Sequence, residues 1–125
     1  LDLVQAAAAA AAAKKAERIV ILDVSKQLVI TDHFLICSGT SDRQVKSIAD
    51  EIHKTLATER NVKPFRREGE REGRWVLLDY VDFVVHVFHK DDREYYDLER
   101  LWSDAPKTEY DDAWDELDER TRAAT

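Results

Sequence analysis

Hydrophobic positions in this chain fall into short continuous runs around one long helical pattern, and the runs predict strands covered on both faces. Ile19-Val-Ile-Leu22 and His33-Phe-Leu-Ile-Cys-Ser38 have strand length and few polar interruptions, and they are bounded by Asp23-Val-Ser25 and by Gly39-Thr40. After the second run, Val45, Ile48, Ala49, Ile52 and Leu56 recur at helical spacing, so a helix ending near Arg60 has one apolar face. Ser41 followed by Gln44 gives that helix a capping box, in which each side chain satisfies a backbone N–H left open at the helix start. Upstream, residues 2–16 are rich in alanine and hold neither glycine nor proline, which predicts a first helix whose small side chains allow close packing.

The second half is read the same way. A short edge strand is expected near Pro64 to Arg66, then a charged loop with Gly69 and Gly73. Trp75 to Asp79 and Phe83 to Phe88 read as two strands joined by a tight turn around Tyr80 to Asp82. Asp91 with Glu94 suggests a second capping box, opening a helix in which Tyr95, Leu98 and Trp102 share a face. The element order is therefore α-β-β-α-β-β-β-α, an α/β fold with a mixed sheet of about five strands and flanking helices. From Tyr110 to Arg122 a last amphipathic segment places Tyr110, Ala113, Trp114 and Leu117 on one helical face. We divide the chain into a domain over residues 1–106 and an acidic C-terminal extension over 107–125.

Composition narrows the classes open to such a fold. The 125 residues suit one domain, and no apolar run approaches the roughly 20 residues of a membrane span. Eight consecutive alanines, Ala6 to Ala13, lack the basic flank and cleavage site of a signal peptide, and a single cysteine, Cys37, fits a reducing compartment. The net charge of −7 is uneven: residues 104–125 hold eight acids and three bases, −5, which leaves −2 for the rest. A chain of this kind is repelled by bulk nucleic acid and suits a basic protein surface.

Candidate chemistry is sparse. His86 and His89 lie three apart on a predicted strand and point to opposite faces, and His33 and His53 have no ligand partner at a metal-binding spacing, so no metal site is expected. Cys37 lies inside an apolar strand, where a thiol behaves as a small buried hydrophobe. Glu68, Glu70 and Glu72 alternate with Arg67, Arg71 and Arg74, the pattern of a solvated loop. Ser38-Gly-Thr-Ser41 offers one glycine where a phosphate cradle needs several. No cofactor and no catalytic residue is expected.

Folding alone does not explain the aromatic set Trp75, Tyr80, Tyr95, Tyr96, Trp102 and Trp114. Strand alternation puts Trp75, Leu77 and Asp79 on one face and Val76, Leu78 and Tyr80 on the other. A surface of Trp, Leu and Tyr beside Asp has the composition of an interface hot spot.

The runs Thr31-Asp-His-Phe-Leu-Ile-Cys-Ser-Gly-Thr-Ser-Asp-Arg-Gln-Val45, Ile48-Ala-Asp50, Trp75-Val-Leu-Leu-Asp-Tyr80, Asp82, His86 and Tyr96-Asp-Leu-Glu-Arg-Leu-Trp102 resemble the ribosomal silencing factor, or Iojap-related, family over roughly residues 2–106. The resemblance implies a non-enzymatic cytoplasmic α/β domain. It would bind the large ribosomal subunit at the L-fourteen ribosomal protein, block joining of the small subunit when nutrients are scarce, and be linked to large-subunit maturation. Carried over residue by residue, the partner-facing strand and turn fall on Trp75, Leu77, Leu78, Asp79, Tyr80 and Asp82, and the late helix on Tyr96, Leu98, Glu99 and Trp102. The family often carries glycine where Val81 stands, so a different or less tight turn is expected here.

Two other readings compete. A mixed sheet with flanking helices has the palm-like topology of nucleotidyltransferases, but Gly39 is followed by Thr40 and no Asp-x-Asp pair falls on a predicted strand, so the catalytic acids are missing. The aromatic surface also suits a homodimer interface, with self-association and ribosome binding competing for it. Residues 60–74, with six bases and three acids, allow at most a peripheral contact with ribosomal RNA.

Overall fold

The structure is a computed structural model that describes residues 2–110. The amphipathic segment expected up to Arg122 lies, beyond Tyr110, outside the described residues.

Helix α1 (Asp2–Ala13) is followed by strands β1 (Glu17–Asp23) and β2 (His33–Gly39), helix α2 (Asp42–Arg60), strands β3 (Arg66–Glu68), β4 (Trp75–Asp79) and β5 (Phe83–His89), helices α3 (Lys90–Tyr96) and α4 (Leu98–Leu101), and strand β6 (Lys107–Glu109). One six-stranded sheet runs β3-β4-β5-β2-β1-β6. Its central pair, β2 and β5, is parallel, with His33 beside Phe83 and Gly39 beside His89, and the other neighbours are antiparallel. The parallel pair is almost wholly buried, as the continuous apolar runs require.

One face of the sheet is covered by α1 and α2. The apolar positions read on α2 are its buried ones, Val45, Ile48, Ala49, Ile52 and Leu56, and they meet Val76, Leu78, Val85 and Val87 of the sheet. Ala7, Ala8 and Ala11 are fully buried, so the polyalanine stretch lets α1 approach closely. Lys15, at φ 61°, ends α1 in a Schellman turn, in which Ala16 N–H donates to Ala11 O at 3.1 Å and Lys15 N–H to Ala12 O at 2.9 Å. Gln44 Nε2 donates to Lys14 O and Lys15 O at 3.3 and 3.1 Å, which ties the end of α1 to the start of α2. Ser41 caps α2 as expected, accepting from Gln44 N at 3.1 Å, but the Gln44 side chain accepts from Thr40 N rather than from Ser41 N.

Several expectations need correction. The edge strand begins at Arg66, and Gly69, at φ +80°, makes the hairpin behind it because a Cβ there would lie 1.9 Å from Trp75 O. A sixth strand, β6, pairs with β1 in the stretch assigned from sequence to the acidic extension. The late helix is broken at Asp97, at φ 47°, and its first part is capped by His89, whose Nδ1 accepts from Asp91 N at 3.2 Å, instead of by an Asp91–Glu94 box. The break separates Tyr95, which is 82% exposed, from Leu98 and Trp102, which pack on the second face of the sheet. That face forms its own core of Val20, Leu22, Phe34, Ile36 and Phe88.

Candidate partner-binding face

The second face is only partly covered. Over β1 and β2, Trp102 stands edge-on to Phe34 with ring centroids 5.4 Å apart, and Leu98 packs beside it. Toward β4 the cover ends in an aromatic row: Trp75 stacks on Phe88 at 4.7 Å and meets Tyr96, half exposed, at 5.0 Å. Trp75 Nε1 donates to His86 Nδ1 at 3.1 Å, across the antiparallel β4–β5 pair. Burial holds the His86 imidazole neutral, with its pKa pushed down to about 4.

Beyond the row the sheet is open. A groove of about 380 Å³ runs between Leu28, Ile30, Phe65, Leu77, Val81 and Val84, with Asp79 in its wall. Ile30 and Phe65 are each 80% exposed and Val81 53%. Contiguous exposed apolar side chains of this size mark an interaction surface more often than chance exposure does.

The turn at the end of the groove differs from the expectation for Val81. It is tight, and Val81 takes φ 73°, a region that β-branched residues almost never occupy. Asp82 N–H donates to Tyr80 O at 2.9 Å and Tyr80 N–H to Phe83 O at 2.9 Å, which closes a γ-turn of the rarer hand inside a two-residue hairpin. Val81 N–H donates to Asp79 Oδ1 at 2.8 Å, and the Tyr80 and Phe83 rings stack at 4.8 Å. Those bonds and that stacking hold the valine in the conformation that glycine would adopt freely.

The structure thus divides the residues named from sequence. Trp75, Leu77, Asp79, Tyr96, Leu98 and Trp102 share the second face, and Asp82 is exposed at the turn. Leu78 and Tyr80 point the other way, into the core under α2, where they have 0% and 8% exposure, so they support the strand from behind. Burial pushes the Tyr80 hydroxyl up to about 12. Glu99 lies apart, at the β1 side, bonded to buried Arg93 at 2.9 Å. Sequence reasoning missed Leu28, Ile30 and Phe65. A run such as Leu28-Val-Ile30, apolar yet outside any predicted element, was the available signal.

Other chemistry has little to work with. Cys37 is fully buried and its thiol is pushed up to about 12, with Arg93 opposing the shift only in part. Among the described residues no group of three or more His, Cys, Asp or Glu is arranged to hold a metal, and no helix is long and apolar enough to cross a membrane.

Comparison with known proteins gives this geometry a context. The sequence model of a family described as "Ribosomal silencing factor during starvation" matches residues 1–125. The chain is 50% identical to the ribosomal silencing factor of Bacillus subtilis over 110 residues, covering 88% of this chain and 92% of that protein. A crystal structure from Bacillus halodurans superposes with a TM-score of 0.75 at 47% identity, covering 87% of this chain and 98% of that one. More distantly, it is 30% identical to the mouse protein named "Mitochondrial assembly of ribosomal large subunit protein 1", over 72% of this chain and 40% of that protein.

Proposed function

This chain belongs to the ribosomal silencing factor family, and from that premise we propose that it binds the large ribosomal subunit in the cytoplasm, at the L-fourteen ribosomal protein. Bound there, it blocks joining of the small subunit and so lowers translation when nutrients are scarce. The observation that carries the reading is the open groove on the second sheet face, adjoining the positions where the family resemblance places partner contacts. Its aliphatic and aromatic walls supply anchors that lose water on binding, and Asp79 and Asp82 favour a basic partner and set its orientation. The mechanism is steric: a body of this size on the joining face overlaps the place of the small subunit, and no bond is made or broken. The name of the mouse relative favours a second role, in large-subunit assembly, which would use the same contact.

The test needs substitutions that spare the fold. Trp75 and Asp79 are poor choices, because the first carries the Phe88 stack and the His86 bond and the second holds the Val81 turn. Phe65→Ser with Leu77→Lys instead removes groove surface and sets a cation against a basic partner. The wild type is expected to co-sediment with purified large subunits and to prevent couples from forming when small subunits are added, and the double variant to do neither while keeping its circular dichroism and melting temperature. Normal co-sedimentation of the folded double variant would remove the groove from the interface.

A further inference from the structure

A second cleft lies at the opposite end of the sheet, away from the groove, and nothing in the proposed role uses it. It measures about 630 Å³ and is walled by Arg18, Arg93 and Lys107, with Ala16, Ile19 and Tyr110 beside them. Arg93 is 2% exposed. Its Nε donates to Glu99 at 2.9 Å and its Nη1 to Ser38 Oγ at 3.2 Å, while its buried Nη2 has no partner among the described residues. Arg18 sits in the β-bulge where the β1–β2 register shifts, at φ 49°, and makes no ion pair among the described residues. A bulge of this kind re-aims a side chain out of the strand's regular alternation. Lys107, on the short edge strand β6, lies 3.7 Å from exposed Glu109.

The cations outnumber the carboxylates that face them. Burial raises the Glu99 carboxyl, yet the hydrogen bond and charge of Arg93, with the charges of Arg18 and Lys107, outweigh it and hold the group below the ordinary glutamate value. Arg18, Arg93 and Lys107 therefore share the cleft with two carboxylates, part-buried Glu99 and exposed Glu109, which leaves one cation in excess.

We propose that this cleft is the docking site for the acidic segment 111–119 of the same chain, whose carboxylates pair with Arg18 and Lys107 over buried Arg93. Tyr110 forms part of the cleft wall and donates its N–H to Ile19 O at 2.9 Å, so the chain leaves the sheet already inside the site. The next nine residues carry Asp111, Asp112, Asp115, Glu116, Asp118 and Glu119 and no base. Trp114 and Leu117, three apart, cover the apolar part of the wall at Ala16 and Ile19. Exposed ion pairs are individually weak, but a tether of a few residues gives an effective concentration in the mM range, so weak pairs suffice. Docking also covers the open edge of β6 and keeps the most acidic part of the chain away from the groove at the far side of the sheet.

The test uses the full chain with a nitroxide on Asp118→Cys, buried Cys37 being left in place. The expected result is selective paramagnetic loss of the amide signals of Arg18, Ile19 and Lys107, with those of β3 unaffected. The loss should weaken markedly at about 1 M salt, where the screening length is about 3 Å, down to the shallow broadening that a label on a free tether of about eight residues produces. It should weaken equally in Asp115→Asn/Glu116→Gln/Glu119→Gln, which leaves every residue of the sheet untouched. Uniform weak broadening, or broadening centred on Leu77 and Phe65, would overturn the assignment.

Discussion

At the scale of single residues, His86 makes the stability of this fold depend on pH. Its ring lies edge-on to Phe34 at 5.0 Å, accepts from Trp75 Nε1, and is pushed by burial from 6.5 to about 4. The unfolded chain takes up a proton near pH 6.5 that the folded chain refuses until about pH 4, so stability falls as pH drops through that window. The full loss is about 3 kcal/mol, since each unit of pKa shift is worth about 1.4 kcal/mol. Glu99 acts in a separate window, because its lowered value gives stability that is lost only below about pH 4.5. His86→Gln keeps an acceptor near Trp75 without titrating. Its urea midpoint is expected to lie below wild type at pH 7 and to stay nearly flat down to pH 4.5, whereas the wild-type midpoint falls steadily. Equal slopes for the two proteins would show that another group controls the transition. The His86 titration could not be read from sequence: the alternation placed it on a strand, but only the packing of Trp75, Phe34 and Phe88 around it sets its burial.

Among the elements, the β4–β5 turn stores strain that one substitution releases. Val81 at φ 73° costs on the order of 1–3 kcal/mol, and glycine would remove that cost while losing roughly 0.4–1 kcal/mol through greater freedom of the unfolded chain. Val81→Gly is therefore expected to raise stability by about 1 kcal/mol, or a few degrees in melting temperature. On the proposed role it should also weaken binding of the large subunit, because a half-exposed valine is lost from the groove wall. A variant that gained neither stability nor lost affinity would mean that the turn relaxes in solution and that Val81 lies outside the contact. Elements also differ in how far sequence reveals them. Helix α2 was legible because every buried position follows the helical period. Strand β6 was not, since Lys107-Thr-Glu109 is exposed and joins the sheet through backbone bonds alone, without any side-chain pattern. The break at Asp97 was hidden for a related reason, because an αL aspartate looks like any other helix-surface acid. The groove was only half visible: Trp75, Leu77 and Asp79 follow from strand alternation, but Leu28, Ile30 and Phe65 reach them only through the strand order β3-β4-β5-β2.

For the whole molecule, the proposed role makes binding and subunit joining exclude one another. A protein acting in the proposed way would have no means of pulling a formed ribosome apart, since its groove would face a surface that the small subunit already covers. Added to preformed couples, it can capture only those large subunits that have separated spontaneously. The conversion rate should therefore equal the rate at which couples dissociate and stay constant over a tenfold range of factor concentration. Only the final extent depends on occupancy, and hence on residence time. Mixed with separated subunits, the same factor should act at once, with a rate that rises with its concentration, so light scattering in the two orders of addition separates the regimes. A rate on preformed couples that grows in proportion to factor would mean that the protein enters the intact ribosome and displaces the small subunit. Its site would then have to be accessible with both subunits joined, and the second sheet face would have to meet a surface other than the joining face.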